Sequence, residues 1–125
     1  MWERYLIDTN ILIEYSSNIL PDKAENFISK IVDENFNISI INKIEILGYN
    51  NAGRQIEEFI SLAVIFSLTD EIADKTIELR RLKKLKLPDA VIAATAIIKD
   101  FVLLTRNTKD FNNIDELSLL NPHEV

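Results

Sequence analysis

The sequence predicts an α/β fold with a mainly parallel sheet of four to five strands and helices on both faces. Short apolar segments of strand length alternate with longer segments whose apolar residues recur at helical spacing. Strands that alternate with helices are typical of parallel sheets. Only two glycines and three prolines occur, so no long flexible linker is indicated, and residues 1–125 are expected to form one domain.

The predicted strands are short and apolar. Tyr5-Leu6-Ile7 and Phe101-Val102-Leu103-Leu104 are uninterrupted apolar runs, as expected for strands buried on both faces of a parallel sheet. The predicted strands cover residues 5–7, 37–41, 64–66, 101–104 and 117–120. The last of these decides whether the sheet has four strands or five.

Helix signals fill the segments between the strands. Asp8 or Thr9 can cap the first helix, and Thr69 can cap a longer one. Pro88 fits the first turn of the last helix, where its missing N–H costs little. That helix is apolar on nearly every side, which predicts a helix sandwiched in the core. The predicted helices cover residues 10–15, 21–32, 42–48, 56–63, 70–82 and 88–96.

Composition narrows the possible functions. The chain has 125 residues, a formal net charge of −6 and no cysteine, which excludes thiolate metal sites and fits a reducing cytoplasm. No apolar segment reaches the length of a membrane span, and no secretory signal is expected. The single histidine, His123, is expected to be exposed. The acidic balance argues against a simple basic nucleic-acid binder but leaves a nucleic-acid enzyme or a basic protein partner open.

Four carboxylates stand where an apolar strand or helix begins or ends: Asp8, Glu45, Asp89 and Asp110. Open parallel sheets place their functional crevice beyond the carboxyl ends of the strands, so these side chains are expected to meet there. Each pair about 4 Å apart would repel by roughly 4 kcal/mol at an effective dielectric constant of about 20. Such a cluster needs shared protons or bound cations. With oxygen ligands alone, Mg²⁺ or Mn²⁺ is favoured over Zn²⁺.

Each carboxylate also has a purely structural interpretation. Asp8 can cap the following helix, and Glu45 stands three residues after Asn42, a spacing that resembles a capping box. Asp89 near a helix N-terminus gains about 0.3–1 kcal/mol from the helix dipole. Asp110 lies in a polar turn, where aspartate commonly makes local hydrogen bonds. The same placement four times is what favours a common site.

A basic segment, residues 80–86, precedes the last helix. Lys83, Lys84 and Lys86 are either a solvated helix end, where cations complement the dipole, or a rim near Asp89 that binds the phosphates of a polyanion. Arg106 flanks another acidic position and is a further candidate for this phosphate-binding rim.

Four segments together resemble a known family, the PIN-domain ribonucleases, and in particular the VapC-type toxins of toxin–antitoxin pairs. The matching segments are LIDTN at 6–10, IEILGY at 44–49, LPDAVIAATA at 87–96 and LTRNTKDF at 104–111. They occur in the family's order and extend over essentially the whole chain.

The resemblance implies a PIN-like, Rossmann-like fold and a Mg²⁺- or Mn²⁺-dependent endoribonuclease that hydrolyses RNA phosphodiester bonds in the cytoplasm. By motif, Asp8, Glu45 and Asp89 correspond to the family's core acidic residues, and Asp110 corresponds to its more variable fourth. The resemblance therefore makes these four the expected catalytic residues and metal ligands.

The same resemblance implies supporting residues and partners. Asn10, Thr105 and Asn107 match polar positions that support the site, although some relatives carry an acid where Asn107 stands. The family implies a homodimer that is inhibited by a small DNA-binding antitoxin protein, which inserts a segment into the active cleft.

Two alternatives belong to other classes of function. A phospho-accepting receiver domain has similar length, a parallel sheet and acids around Mg²⁺, but it usually pairs two acids after its first strand, where this chain has Asp8-Thr9-Asn10. The third strand here also ends in Phe66-Ser67-Leu68 rather than in an aspartate. A catalytically silent PIN-like binding module is the other alternative, and the intact acidic set argues against it.

Overall fold

The fold was analysed in a computed structural model that describes residues 3–48 and 53–125. Tyr49, the last residue of the second motif, lies outside this part of the chain. The strands are β1 (Tyr5–Ile7), β2 (Asn37–Ser39), β3 (Val64–Phe66), β4 (Val102–Leu104) and β5 (Ser118–Leu120). The helices are α1 (Thr9–Ser16), α2 (Asp22–Glu34), α3 (Ile40–Leu47), α4 (Arg54–Ser61), α5 (Asp70–Leu82) and α6 (Leu87–Lys99). Short 3₁₀ helices follow at Thr108–Phe111 and Pro122–Glu124.

All strand pairs are parallel, as predicted. β4 lies between β1 and β5, and β2 pairs with β3. The Asn37 side chain joins the two groups, because its Nδ2 donates to the Tyr5 carbonyl oxygen at 3.2 Å. The α/β fold with a parallel sheet is therefore confirmed, and the carboxyl ends of β1 and β4 lie side by side.

Successive strand residues face opposite sides of the sheet, which creates two apolar cores. Leu6 and its register partner Leu103 pack with α5 and α6. Ile7 and its register partner Leu104 pack instead with α1 and α2. All four side chains are fully buried. Helices thus cover both faces of the sheet, as predicted.

Helix α6 is the most deeply buried helix of the described chain. Seven consecutive residues, Ala90–Ala96, are buried, which confirms the prediction of a sandwiched helix. Pro88 lies in its first turn, and Asp100 ends the helix in the left-handed conformation with φ of 57°. Asp89 lies in the first turn of this helix, so the buried body of α6 fixes the position of its backbone. No helix in the described residues is long and apolar enough to cross a membrane.

The start of α3 differs from the prediction. β2 ends at Ser39 rather than at residue 41, because Ser39 caps the helix: its Oγ accepts from Ile41 N at 3.1 Å. Asn42 Oδ1 accepts from Ser39 N at 2.9 Å, which completes a capping box between these two residues. The proposed capping box from Asn42 to Glu45 is therefore wrong. Glu45 lies beyond the capping box and has no part in capping α3.

Candidate active site

An open cleft of about 550 Å³ lies beyond the carboxyl ends of β1 and β4. It is bounded by the starts of α1 and α6, by α3, and by the turn after β4. Three of the four predicted carboxylates line it, together with two of the three predicted supporting residues. The lining residues are Asp8, Thr9, Asn10, Ile13, Ile44, Glu45, Gly48, Asp89 and Asn107.

Asp8 is the most enclosed carboxylate of the cleft. It caps α1, is 6% exposed, and accepts hydrogen bonds at both oxygens. Oδ1 accepts from Thr9 N at 2.9 Å and from Asn42 Nδ2 at 3.3 Å. Oδ2 accepts from Thr105 Oγ1 at 2.8 Å and from Asn10 Nδ2 at 3.3 Å. All four donors are neutral, so they orient the carboxylate without cancelling its charge.

The electrostatic environment of Asp8 favours a cation. Burial raises the pKa of Asp8 above its ordinary value, and the negative charges of Glu45 and Asp89 raise it further. The hydrogen bonds from Thr105 and Thr9 lower this pKa but do not restore it. A carboxyl group whose ionisation is disfavoured by burial and by neighbouring anions is one that a bound divalent ion would relieve.

Glu45 is held at the cleft by Thr9. The Thr9 hydroxyl donates to Glu45 Oε1 at 2.7 Å and accepts from Asn42 Nδ2 at 3.0 Å. Asn42 is fully buried, and its amide group contacts both Asp8 and Thr9 while its oxygen completes the capping box with Ser39. Sequence reasoning missed Thr9 and Asn42 as site residues. The available signal was an asparagine embedded in the apolar run around Ile40 and Ile41, directly after a strand.

Asp89 and Asp110 complete the acidic group. Burial of the half-buried Asp89 raises its pKa, and the charges of Asp110 and Glu45 raise it further, while Lys86 lowers it. Asp110 belongs to the 3₁₀ helix at Thr108–Phe111 and is exposed. It does not line the cleft, but its charge acts on Asp89. Three carboxylates therefore share the cleft and the fourth lies close to one of them.

The donor set fits a hard divalent cation in part. Within residues 3–48 and 53–125, no three acidic or imidazole side chains converge closely enough to hold one ion together. The cleft nevertheless offers oxygen ligands alone, and burial together with neighbouring carboxylates raises the pKa values of Asp8 and Asp89. Mg²⁺ commonly takes one or two carboxylates and keeps several waters. The arrangement therefore suits an ion that keeps part of its water shell better than an ion whose ligands all come from the protein.

The predicted basic residues are placed unequally. Lys83, Lys84 and Lys86 are all exposed residues of the connection between α5 and α6. Of the three, Lys86 lies close enough to Asp89 to lower its pKa. Arg106 already has a partner, because its Nη1 lies 2.6 Å from Glu14 Oε2. Any contact of Arg106 with RNA would therefore be made by a guanidinium that is already paired with Glu14.

The expectation that His123 is exposed is wrong. Its side chain is 21% exposed, and its Nε2 lies 2.9 Å from Glu14 Oε1. The residue belongs to the 3₁₀ helix at Pro122–Glu124, which follows β5. Pairing of β5 with β4 brings this segment back to α1, a contact that local sequence could not indicate.

Comparison with known proteins agrees with this geometry. The sequence matches the family model of the PIN domain over residues 5–117. The chain belongs to the PIN-domain family. A PIN domain is thus the fold that carries the acidic cleft, and the resemblance predicted from the four motifs is confirmed. Among curated proteins, none matches this sequence significantly.

Solved structures similar to this PIN domain include chains of toxin–antitoxin complexes. One, described as a toxin–antitoxin complex from Klebsiella pneumoniae, is 33% identical with a TM-score of 0.78, over 97% of this chain and 99% of the other. VapBC2 from Rickettsia felis, bound to a DNA fragment from its promoter, is 25% identical with a TM-score of 0.78, over 94% and 97%. DNA-bound VapBC from Salmonella typhimurium is 22% identical with a TM-score of 0.79, over 97% and 99%, and shows a shared fold.

Proposed function

We propose that this PIN domain is a divalent-metal-dependent endoribonuclease and the toxin of a type II toxin–antitoxin pair. The observation that carries the proposal is the meeting of Asp8, Glu45 and Asp89 in one open cleft, where burial, and after it the neighbouring carboxylates, raise the pKa values of Asp8 and Asp89. A purely structural role for each acid would not require them to share a cleft in which they repel.

Asp8 and Asp89 would hold the principal ion, Mg²⁺ or Mn²⁺, with Glu45 and Asp110 positioning it, a second ion or the attacking water. When bound, the metal would lower the pKa of water and neutralise charge on the phosphate. By family analogy the products carry 5′-phosphate and 3′-hydroxyl ends.

The remaining work falls to neutral side chains that orient the acids. Thr105 and Asn10 fix one oxygen of Asp8, while Asn42 fixes the other and also supports the Thr9 hydroxyl. Thr9 in turn holds Glu45. Because these groups donate to Asp8 and Glu45, directly or through Thr9, both carboxylates stay oriented without a fixed positive charge that would compete with a metal ion.

The substrate proposal is RNA, with Lys86 at the edge of the cleft as the first phosphate contact. A polyanion approaching three carboxylates is repelled until cations offset their charge, so binding of RNA and of metal should be coupled. The exposed Lys83 and Lys84 would extend the contact along the backbone.

The partner proposal is a small antitoxin protein and a second copy of this chain. The antitoxin rests on the similarity to a chain of the Klebsiella pneumoniae toxin–antitoxin complex and on charge complementarity, since an acidic cleft suits a basic segment. The second copy rests on the family resemblance alone. Co-expression with the product of a short adjacent reading frame, followed by size-exclusion chromatography with light scattering, tests both the complex and the dimer.

The function is tested with purified protein freed of metal and then supplied with Mg²⁺ or Mn²⁺. End-labelled RNAs should be cut catalytically, and the cleavage should stop on chelation and return with metal. Asp115→Asn is the matched control for replacements of the cleft aspartates, because it changes an exposed aspartate that does not line the cleft. RNA binding without cleavage under any divalent ion would instead identify a silent binding module.

The receiver-like alternative does not fit the sheet. Receiver domains have the flavodoxin-like strand order 2-1-3-4-5, in which the first strand pairs with the third. Here β1 pairs with β4 and β3 pairs with β2.

A further inference from the structure

We propose that Glu14 is a positioning residue of the active site, which acts through Arg106 to hold the turn of residues 105–110 that carries Asn107 and Asp110. The proposal rests on the nuclease function proposed above. Glu14 lies outside the four motifs.

Glu14 is a buried carboxylate with both oxygens occupied. It is 8% exposed, and its Oε2 lies 2.6 Å from Arg106 Nη1 while its Oε1 lies 2.9 Å from His123 Nε2. A buried charge persists only when it is paired and hydrogen-bonded, so these contacts fix the position of the carboxylate. Glu14 then acts as a rigid anchor for the guanidinium, whose side chain is 58% exposed.

The anchored arginine lies between two residues of the candidate site. Thr105 donates to Asp8, and Asn107 lines the cleft. The Arg106 backbone N–H also donates to Asn10 Oδ1 at 3.1 Å. Asn10 and Glu14 are four residues apart on α1 and therefore share one face of that helix. Helix α1 thus holds Arg106 at both its backbone and its side chain.

Local hydrogen bonds connect Arg106 to the exposed acid. Asn107 N donates to Thr105 Oγ1 at 3.1 Å, and Asp110 N donates to the Asn107 carbonyl oxygen at 3.0 Å. Because these short links define the turn, a shift at Arg106 would displace Asn107 and Asp110 relative to Asp8 and Asp89. His123 provides a second donor to the same anchor from the 3₁₀ helix after β5.

Three variants test the assignment: Glu14→Gln, Arg106→Gln and the double variant. Glu14→Gln should lower kcat roughly 10- to 100-fold and raise the Mn²⁺ concentration for half-maximal rate, as supporting partners of metal sites do. If Glu14 acts through Arg106, the double variant should lose no more activity than Arg106→Gln alone. In the metal-free Glu14→Gln protein, the backbone amides of Asn107 and Asp110 should exchange about 10-fold or more faster than in the metal-free wild type. The amide of Leu103 should exchange at an unchanged rate.

The control is Glu116→Gln, which removes the ion pair to Lys75 (2.7 Å) without touching the cleft and should leave kcat unchanged. A Glu14→Gln protein that is less stable but retains kcat and Mn²⁺ requirement would overturn the proposal, as would fully additive losses in the double variant. If Glu14→Gln does not fold, Arg106→Gln tests the same link through an exposed side chain. If the wild type cuts no RNA, the proposed function fails, whereas the exchange measurement still decides whether Glu14 holds the turn.

Discussion

The Thr105 hydroxyl donates to Asp8 Oδ2 at 2.8 Å, although the two residues are 97 positions apart in sequence. The contact exists because β1 and β4 are parallel neighbours: Asp8 N continues their pairing with a 2.9 Å bond to the Leu104 carbonyl oxygen, and Thr105 follows at once. Strand register therefore aligns a donor from one motif with an acid from another.

Replacement of Asp89 should separate stability from activity. The helix dipole favours a negative charge in the first turn of α6 by about 0.3–1 kcal/mol, but burial, Asp110 and Glu45 outweigh it, because the pKa of Asp89 is raised. Asp89→Asn should therefore make the metal-free protein more stable than the wild type in urea unfolding at neutral pH. Cleavage should fall more than about 100-fold. Asp70→Asn, in the first turn of α5, is the matched control and should destabilise slightly.

The metal-free protein should lose stability as the pH rises. The folded-state pKa values of Asp8 and Asp89 are raised, so the folded state binds more protons than the unfolded state above the ordinary value of 3.8. The stabilising contribution of the protonated forms is complete below that value and disappears as the pH rises through the raised pKa values. Thermal unfolding in EDTA from pH 4 upward measures the effect, relative to the double variant Asp8→Asn, Asp89→Asn. Identical pH profiles for the two proteins would contradict the raised pKa values.

Divalent ions should stabilise the folded protein. Mg²⁺ or Mn²⁺ at about 100 times its dissociation constant should add about 2.7 kcal/mol to the free energy of unfolding, because the unfolded chain has no assembled site. Asp8→Asn should remove most of that gain, and Asp115→Asn should keep it. Calorimetric titration of the metal provides an independent measurement, and equal affinities in all three proteins would place the ion elsewhere.

Asn42 should prove to have two separable roles. Asn42→Asp keeps an oxygen to accept from Ser39 N but replaces the amide that donates to Asp8 and Thr9 with a negative charge. We expect activity to fall about 10- to 100-fold. Ser39→Ala, the converse control, loses the cap and should cost about 1 kcal/mol of stability with little effect on kcat. Normal activity in Asn42→Asp would show that the donor is dispensable.

The lysines before α6 should contribute to RNA affinity. Neutralising Lys83, Lys84 and Lys86 to Gln in an Asp8→Asn background should weaken RNA binding and reduce the salt dependence by about 0.7 in slope per lost phosphate contact. The matched control neutralises Lys23 and Lys30 on α2, which does not line the cleft. An unchanged slope would leave the lysines as a solvated helix end.

The regular elements were predictable wherever one strong local signal decided them. The strands at 5–7 and 64–66 match their predicted bounds. Polar residues flank the first strand on both sides, and the β-branched and aromatic run Val64-Ile65-Phe66 followed by Ser67 marks the second. The boundary between β2 and α3 was not predictable in this way. Two polar residues, Ser39 and Asn42, each suit a cap, and the choice depends on which amide each side chain reaches in three dimensions.

The candidate site divides similarly. Asp8, Glu45 and Asp89 were recognisable because their positions relative to apolar elements place them at one edge of a parallel sheet. The roles of Thr9, Asn42 and Glu14 were not recognisable in this way, since they consist of contacts with residues far away along the chain. His123 was assigned incorrectly for the same reason.

By itself, the amino-acid sequence determined the fold class, the family and the set of acids. Hydrophobic periodicity and the order of the motifs can be read along the chain, without knowing which distant residues meet. Only the tertiary structure decided which neutral groups orient those acids, how their charges disturb one another, and that Arg106 is bound to a buried glutamate. The physical reason is that hydrogen bonds and electrostatic interactions depend on distances of a few ångströms between side chains. Those distances are set only when strands far apart in the chain pair and their helices pack.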